Sequence, residues 1–223
     1  MRVVERDYYY SIEDFFPPFL YAGFTKITLA GQDLQSDFKK VLNILGRDFR
    51  ISYLNQWHST QVNFINKPGV YNGDAIFTKE EKITLVVRTA DCLPLFFYDA
   101  KNGFVGLIHL GWRSAKQGIF DNLNIDLANF KVLAGVGLRK CCFKVGEEFL
   151  NFEKLVNFIE KKNASFYFDT IGFSKKELTR KGLNENNFKD LNICSLCNEL
   201  NFFSYRRDKT KKRTLSFIIK RKT

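Results

Sequence analysis

The sequence predicts a mixed α/β fold in which layered, mixed β-sheets are flanked by helices, all within a single domain spanning residues 1–223. Short runs of β-branched and aromatic residues predict strands, and other segments have apolar residues that recur at helical spacing. Neither an internal repeat nor a linker rich in Pro, Gly or Ser divides the chain. With 45% hydrophobic residues, the chain can bury a large core.

Three segments have the periodicity of amphipathic helices. Residues 33–46 place their apolar side chains on one side and end at a glycine, which commonly stops a helix. Residues 147–162 repeat the pattern with an acidic start and a basic end, as the helix dipole favours. Residues 174–182 begin with a capping box at Ser174 and end at a glycine. We therefore expect three helices.

Seven segments have the composition of strands, being short, apolar and bounded by turn-forming residues. They are residues 49–57, 74–78, 83–89, 92–99, 104–112, 130–137 and 214–220.

Two of these strands, 92–99 and 104–112, are close enough in sequence to form a hairpin. If Tyr98 faces Gly103 across a four-residue loop, the same register places Cys92 opposite His109, with Cβ atoms about 5 Å apart. Pro94 is the critical residue, because a slip by one position there would send the two side chains to opposite faces of the sheet.

The N-terminal residues and the cysteines bear on the compartment. Residues 1–16 carry charges throughout, and no stretch approaches the ~18 apolar residues that would span a bilayer. The five cysteines form an adjacent pair, a C-x-x-C and a single residue, which is a poor disulfide framework. We expect a cytoplasmic protein whose reduced thiols are available as metal ligands.

The net charge of +11 is concentrated near the C-terminus, where residues 206–222 hold nine lysines and arginines against one aspartate. This run can bind an anion such as phosphate, a nucleotide or RNA. It can equally be a solvated face that protects the edge of a terminal strand, and we favour that interpretation for the run as a whole.

The two histidines of the chain, His58 and His109, each follow a predicted strand and have a tryptophan nearby. With Cys92 they supply three ligands of a tetrahedral zinc ion and leave one position open, which is typical of catalytic rather than structural zinc. Either histidine alone is explained as well by an ordinary hydrogen-bonded residue. The cysteine predicted across the hairpin favours the metal site.

Four ordered motifs within residues 55–219 resemble the laccase-domain (multicopper polyphenol oxidase) family, now better described as purine nucleoside phosphorylases with adenosine deaminase side activity. They are Gln56-Trp57-His58, Thr89-Ala90-Asp91-Cys92-Leu93-Pro94, His109-Leu110-Gly111-Trp112-Arg113 and Phe202 to Asp208. The resemblance implies that His58, Cys92 and His109 bind the metal, which we expect to be zinc, with copper as an alternative. The implied substrates are phosphate and adenosine, inosine, guanosine or methylthioadenosine.

Phosphorolysis needs cations for phosphate and a proton source near the leaving base. Arg113 is the first candidate for binding phosphate, and Arg206 or Arg207 is the second, because arginine binds oxyanions through two hydrogen bonds. Arg113 can also be explained by a surface salt bridge. Asp91 is a candidate proton shuttle, although it can instead support a ligand or cap a turn.

Two other functions stay open, and one is excluded. The chain can be a zinc or cysteine hydrolase, such as an amidase acting on cell-wall precursor peptides, or, with less support, an RNA-binding module with structural zinc. A multicopper oxidase is excluded, because two histidines cannot hold a mononuclear copper and a trinuclear cluster. We expect small-molecule partners, neither a membrane nor a nucleic acid, and a monomer or homodimer.

Some residues depart from the family motifs, and other cysteines have no assigned role. Ser59 and Ser114 stand where the family prefers glycine, and Lys144 replaces an acidic residue. The adjacent pair Cys141 and Cys142 is explained most simply as thiol packing. Cys194 and Cys197 form a C-x-x-C without a second C-x-x-C or a remaining histidine, so a structural or incidental role is favoured.

Overall fold

The computed structural model describes residues 1–26, 43, 49–200 and 202–221. Within these residues the strands, numbered in chain order, form three sheets. In spatial order, the first sheet contains β1 (Arg2–Glu5), β2 (Tyr9–Glu13), β3 (Leu20–Thr25), β16 (Thr214–Lys220), β8 (Ile83–Thr89), β4 (Arg50–Asn55) and β6 (Val70–Asn72). The second contains β15 (Phe188–Asp190), β11 (Phe130–Ala134), β9 (Leu93–Asp99), β10 (Val105–Leu110), β7 (Ala75–Thr78) and β5 (Val62–Ile65). The third contains β12 (Lys144–Val145), β14 (Ser165–Phe168) and β13 (Ile159–Lys162).

The helices of the described residues are few and short. They are α1 (Trp112–Gln117), α2 (Thr170–Arg180) and α3 (Tyr205–Asp208), with 3-10 helices at Ile119–Asn122, Glu147–Asn151, Val156–Phe158 and Glu185–Asn187. In the described part of the chain no helix has the length and apolar character needed to cross a membrane.

Two apolar cores lie on opposite faces of the second sheet. One packs Phe96 and Leu107 of the second sheet against Leu85 and Ile218 of the first. The other packs the opposite face of the second sheet against residues that include Phe173 of α2. Strands β9 and β10 are therefore buried on both faces, as their nearly continuous apolar sequences indicate. This arrangement confirms the predicted mixed α/β fold of layered mixed sheets, whereas the extent of the single domain stays a prediction.

The predicted hairpin forms, but its register is wrong by two residues. His109 pairs with Pro94, and Val105 pairs with Tyr98. Gly103 adopts a φ of 73° and belongs to the turn, which is closed by a hydrogen bond from Asp99 N to Phe104 O (2.8 Å). Because side chains alternate with a period of two, a shift by two residues keeps Cys92 on the same face as His109.

The predicted helices have three different outcomes. The helix predicted over 33–46 lies outside the described residues apart from Asn43. The helix over 174–182 exists but begins earlier, at Thr170, because the Asp169 side chain accepts a hydrogen bond from Gly172 N (2.9 Å) and caps it.

The prediction of a helix over residues 147–162 is wrong, because that segment forms two 3-10 helices followed by β13. Aromatic packing decides its conformation. The ring of Phe149 lies 5.1 Å from that of Trp112 and 6.3 Å from that of Phe168, and β13 pairs with β14. Tertiary contacts thus override the helical periodicity.

The terminal strand β16 lies in the interior of the first sheet, where it pairs with β3 on one side and β8 on the other. Its residues are buried from Thr214 to Ile219. The idea that the basic run protects a sheet edge is therefore wrong for this strand, and the cations that precede it need another explanation.

Candidate metal centre and its cavity

The structure brings the three predicted ligands together at one end of the space between the first two sheets. His58 follows β4 of the first sheet, whereas Cys92 precedes β9 and His109 lies on β10 of the second. One ligand atom from each lies within 4.8 Å of the others. Cys92 Sγ is 3.5 Å from His58 Nε2, which fits a tetrahedral ion with a metal–sulfur distance of about 2.3 Å and a metal–nitrogen distance of about 2.0 Å.

The carboxylate of Asp74, which sequence analysis missed, organises this centre. The side chain is fully buried just before β7 and accepts a hydrogen bond from His109 Nδ1 (2.7 Å). It also accepts hydrogen bonds from the backbone N of His58 (3.1 Å) and of Ser59 (2.6 Å). Because the Nδ1–H of His109 is used in this way, its Nε2 is left to bind a metal, as in most carboxylate–histidine–metal arrangements.

Asp74 also accounts for an unusual backbone conformation and for one departure from the family motifs. His58 has a φ of 67°, which is uncommon for a residue other than glycine, and Asp74 holds that turn through its backbone hydrogen bonds. The Ser59 hydroxyl donates a further hydrogen bond of 2.8 Å to the same carboxylate. Ser59 therefore adds support to the centre where the family prefers glycine.

The ionisation of Cys92 favours metal binding, whereas at His109 a metal ion has to replace the proton on Nε2. Burial raises the pKa of the Cys92 thiol, but the neighbouring His109 and His58 outweigh burial and lower that pKa to about 6. For His109, burial lowers the pKa, but Cys92 and Asp74 outweigh burial and raise it to about 9. The sulfur is thus stabilised as a thiolate, which is the form that binds metal ions.

Gly111 leaves the space that the ligands occupy. A Cβ at this position would lie 2.4 Å from His58 Cδ2 and 3.2 Å from Cys92 Sγ. The turn at Gly111 is fixed by the buried Ser114, whose Oγ accepts a hydrogen bond from Gly111 N (3.1 Å) and donates one to Gly111 O (3.0 Å). Ser114, the second residue that stands where the family prefers glycine, therefore stabilises the turn at Gly111.

We expect Gly111→Ala to weaken metal binding about tenfold to a hundredfold, because the added methyl group displaces the His58 ring. Zinc affinity measured by competition with a chromophoric chelator checks this. Gly69→Ala is the matched control, since its Cβ would meet no atom closer than 3.5 Å. An unchanged affinity in Gly111→Ala would show that His58 is not a ligand.

The centre opens into a cavity of about 970 Å³ whose walls are rich in cations. Apolar surface comes from Trp112, Leu138, Phe143 and Tyr205. The cationic side chains are Arg88, Arg113, Arg206, Lys209, Lys211 and Arg213. Four of these six belong to the basic C-terminal run, so that run contributes to a concave site as well as to the exposed surface.

The three predicted arginines have different positions. Arg113 lies on α1 at the cavity, with its guanidinium 4.6 Å from the centre of the Trp112 ring, and among the described residues it forms no ion pair. Arg206 lines the cavity above the Phe143 ring (4.9 Å) and donates a hydrogen bond to Lys144 O. Arg207 is not brought to the cavity, because it pairs with Asp208 (2.8 Å) and donates to backbone carbonyls.

Asp91 is buried at the cavity wall, and both of its carboxylate oxygens are engaged. They accept hydrogen bonds from Ser195 Oγ (2.9 Å) and from Arg206 N (2.7 Å). Its φ of 88° places it in the left-handed region, directly before Cys92. These contacts join the Cys92 turn to the segments around Ser195 and Arg206, while a role of Asp91 in proton transfer stays a prediction.

The residues that sequence analysis missed had weak local signals. Asp74 is the first residue of the strand predicted over 74–78, but nothing local indicates that its carboxylate faces His109. Lys209, Lys211 and Arg213 stand within the basic run, which composition alone does not divide into cavity-facing and solvent-facing residues.

Comparison with known proteins identifies a family model and several related proteins. The family model described as multi-copper polyphenol oxidoreductase laccase matches residues 30–221. A protein named purine nucleoside phosphorylase from Borreliella burgdorferi is 30% identical over 232 residues, which cover 93% of this chain and 94% of that protein. One of the same name from Clostridium acetobutylicum is 31% identical over 190 residues, or 77% of each chain. A protein named adenosine deaminase RL5, from an unknown prokaryotic organism, is 29% identical over 148 residues, covering 60% of this chain and 56% of that protein.

A similar fold occurs in a solved structure. The crystal structure of YlmD from Geobacillus stearothermophilus superposes with a TM-score of 0.86 at 22% identity and covers 99% of both chains.

Proposed function

This chain belongs to the family described as multi-copper polyphenol oxidoreductase laccase, and from that premise we propose that it is a metal-dependent purine nucleoside phosphorylase. The proposed substrates are inosine, adenosine, guanosine and methylthioadenosine, each cleaved with phosphate, and deamination of adenosine is the proposed side activity. Related proteins that carry the names purine nucleoside phosphorylase and adenosine deaminase support this proposal.

One observation carries the proposal, namely that a single cavity combines a metal centre, aromatic surfaces and a group of cations. The exposed Tyr205 offers a flat apolar face to a purine ring. Trp112, whose ring packs against Arg113 and Phe152, adds apolar surface to the wall. The six arginine and lysine side chains offer positive charge to phosphate. A nucleoside and phosphate bound together need both kinds of surface.

In the proposed reaction, an oxygen of hydrogen phosphate forms a bond to C1′ of the ribose while the bond from C1′ to the purine nitrogen breaks. The electron pair of the broken bond leaves with the purine, which gains a proton, so the products are the free base and ribose 1-phosphate. Hydrogen phosphate supplies that proton in the overall balance. Positive charge develops on the sugar in the transition state, so the bound phosphate dianion stabilises it electrostatically.

The residues of this chain bind and orient the reactants. The Arg113 guanidinium lies over the Trp112 ring, and this contact holds the cationic group at the cavity wall. Arg206 is fixed through its backbone by Asp91 and through its side chain by Lys144 O. We assign phosphate binding to Arg113 and Arg206, supported by Lys211 and Arg213.

His58, Cys92 and His109 would hold the metal, and their donor set of one sulfur and two nitrogens fits zinc in a site with an open position. When bound there, zinc supplies a Lewis acid within the cavity. Copper is an alternative occupant, but a multicopper mechanism is excluded because both histidines of the chain are used in this one centre.

The first test is an assay of inosine with and without phosphate. We expect hypoxanthine to form only when phosphate is present, and adenosine to yield inosine and ammonia at a lower rate. Arg113→Met should raise the KM for phosphate about tenfold to a hundredfold, because a charge-assisted hydrogen bond contributes about 1.5–3 kcal/mol.

Arg180→Met is the matched control, because Arg180 lies on α2, where it pairs with Glu177 (2.9 Å) outside the cavity lining. Cleavage of inosine without phosphate would identify a hydrolase instead. Activity on peptide amides that survives removal of the metal would identify a thiol enzyme that uses Cys92. If no nucleoside is turned over with any metal, the proposed function is wrong.

A further inference from the structure

A second group of metal-ligating side chains lies outside the centre described above. Cys141, Cys142, Cys194 and Cys197 converge so that their four sulfur atoms all lie within 4.8 Å of one another. They come from two segments, one between β11 and β12 and the other between β15 and α3. All four are free thiols. Together with Cys92, they account for the five cysteines of the chain.

The spacing of the sulfur atoms fits coordination of a metal ion rather than a disulfide. Cys141 Sγ and Cys197 Sγ are 3.7 Å apart. Four thiolates arranged tetrahedrally around zinc, at a zinc–sulfur distance of about 2.3 Å, lie about 3.8 Å from one another. A disulfide requires a separation of about 2.05 Å.

The backbone aligns the two cysteine segments without help from a metal. Gly137 and Cys194 form a parallel β-bridge, and Ser195 N donates a hydrogen bond of 3.1 Å to Gly137 O. On the other segment, Cys142 N donates to Arg139 O (2.9 Å), which turns the chain so that both adjacent cysteines reach the cluster.

The most buried of the four sulfurs is also surrounded by hydrogen-bond donors. Backbone N–H groups of Arg139, Leu196 and Cys197 form hydrogen bonds with the Cys194 sulfur. Backbone donors to a ligating sulfur are a usual part of thiolate metal sites.

We propose that Cys141, Cys142, Cys194 and Cys197 bind a second metal ion, a structural zinc held by four thiolates. Four protein ligands fill a tetrahedral coordination shell and leave no position for substrate, so this ion has no direct part in chemistry. Zinc is the expected metal because four cysteines at tetrahedral spacing without an open position are its usual structural site.

The position of this ion connects it to the first centre. Ser195, between the two cysteines of the C-x-x-C, donates to the carboxylate of Asp91, which directly precedes Cys92. On the other segment, Phe143 follows Cys142 and lines the cavity. A structural zinc would therefore hold together two segments that form one wall of the cavity.

The test is the zinc content of the purified full-length protein after loading with zinc and dialysis. We expect about two zinc ions per chain in the wild type and about one in the double variant Cys141→Ser/Cys197→Ser. Both replaced residues are exposed, so their substitution leaves the apolar core intact. Cys92→Ser should also contain about one ion, and the variant in which Cys92, Cys141 and Cys197 are all replaced by serine should contain none.

Thiol labelling gives a second readout that does not depend on activity. In the zinc-loaded wild type, Cys141 and Cys197 should resist alkylation despite their exposure, and a chelator should make both reactive. The proposal is wrong if the double variant holds as much zinc as the wild type, or if Cys141 and Cys197 form a disulfide in the freshly purified protein. Neither result bears on nucleoside cleavage, so this proposal and the proposed function fail separately.

Discussion

Replacing Cys92 with serine is expected to remove the metal from the His58–Cys92–His109 centre and to lower the kcat/KM for phosphate-dependent inosine cleavage at least about a hundredfold. The serine hydroxyl is a poor zinc ligand at neutral pH, so two histidines remain where three donors stood. A bound metal contributes several kcal/mol to charge stabilisation, and each 1.36 kcal/mol corresponds to about a tenfold change in rate. Zinc analysis together with initial rates of hypoxanthine formation provides the measurement.

Cys197→Ser makes the same chemical change as Cys92→Ser at an exposed thiol outside the cavity lining, where the second ion is proposed to bind. Cys197→Ser should keep the ion of the His58–Cys92–His109 centre. Both variants should contain about one zinc ion, so the rate of hypoxanthine formation, rather than total zinc, separates Cys197→Ser from Cys92→Ser. If Cys92→Ser retained both the full metal content and full activity, Cys92 would not be a ligand and the proposed centre would be wrong.

The variant Asp74→Asn is expected to have the second largest effect, with metal affinity reduced about tenfold to a hundredfold and the free energy of unfolding reduced by about 2–4 kcal/mol. One carboxylate oxygen of Asp74 accepts from His109 Nδ1, and the other accepts from Ser59 N and Oγ. An amide has only one oxygen, so either orientation turns its NH₂ group toward a donor. The charge that orients the His109 ring is also lost.

Asp121→Asn makes the same substitution at a half-exposed carboxylate that pairs with Lys154 (2.8 Å). It should leave metal affinity unchanged and alter stability by no more than about 1 kcal/mol. Urea unfolding of the zinc-loaded and zinc-free forms separates the two effects of Asp74→Asn. If zinc affinity were normal in this variant, Asp74 would have no role in orienting His109.

The three proposed metal ligands could be singled out from sequence because histidine and cysteine are rare in this chain and these residues lie next to strand ends. The predicted register of the hairpin was wrong by two residues, and a shift of two residues keeps each side chain on the same face of the strand. The prediction that Cys92 and His109 lie close together was therefore unaffected. Ser59 and Ser114 stood out as departures from a motif, and the structure shows that their hydroxyl groups support Asp74 and Gly111.

The sequence by itself determined the mixed α/β class, singled out the three proposed ligands and argued against a multicopper mechanism, because these inferences depend on residue types, local periodicity and the resemblance of motifs. The tertiary structure decided that Asp74 orients His109 from 35 residues away and that Cys141 meets Cys197 from 56 residues away. It also placed β16 inside a sheet and cations of the basic run at the cavity. Each of these depends on pairing between distant segments, which is set by packing of the whole core and leaves no local pattern in the chain.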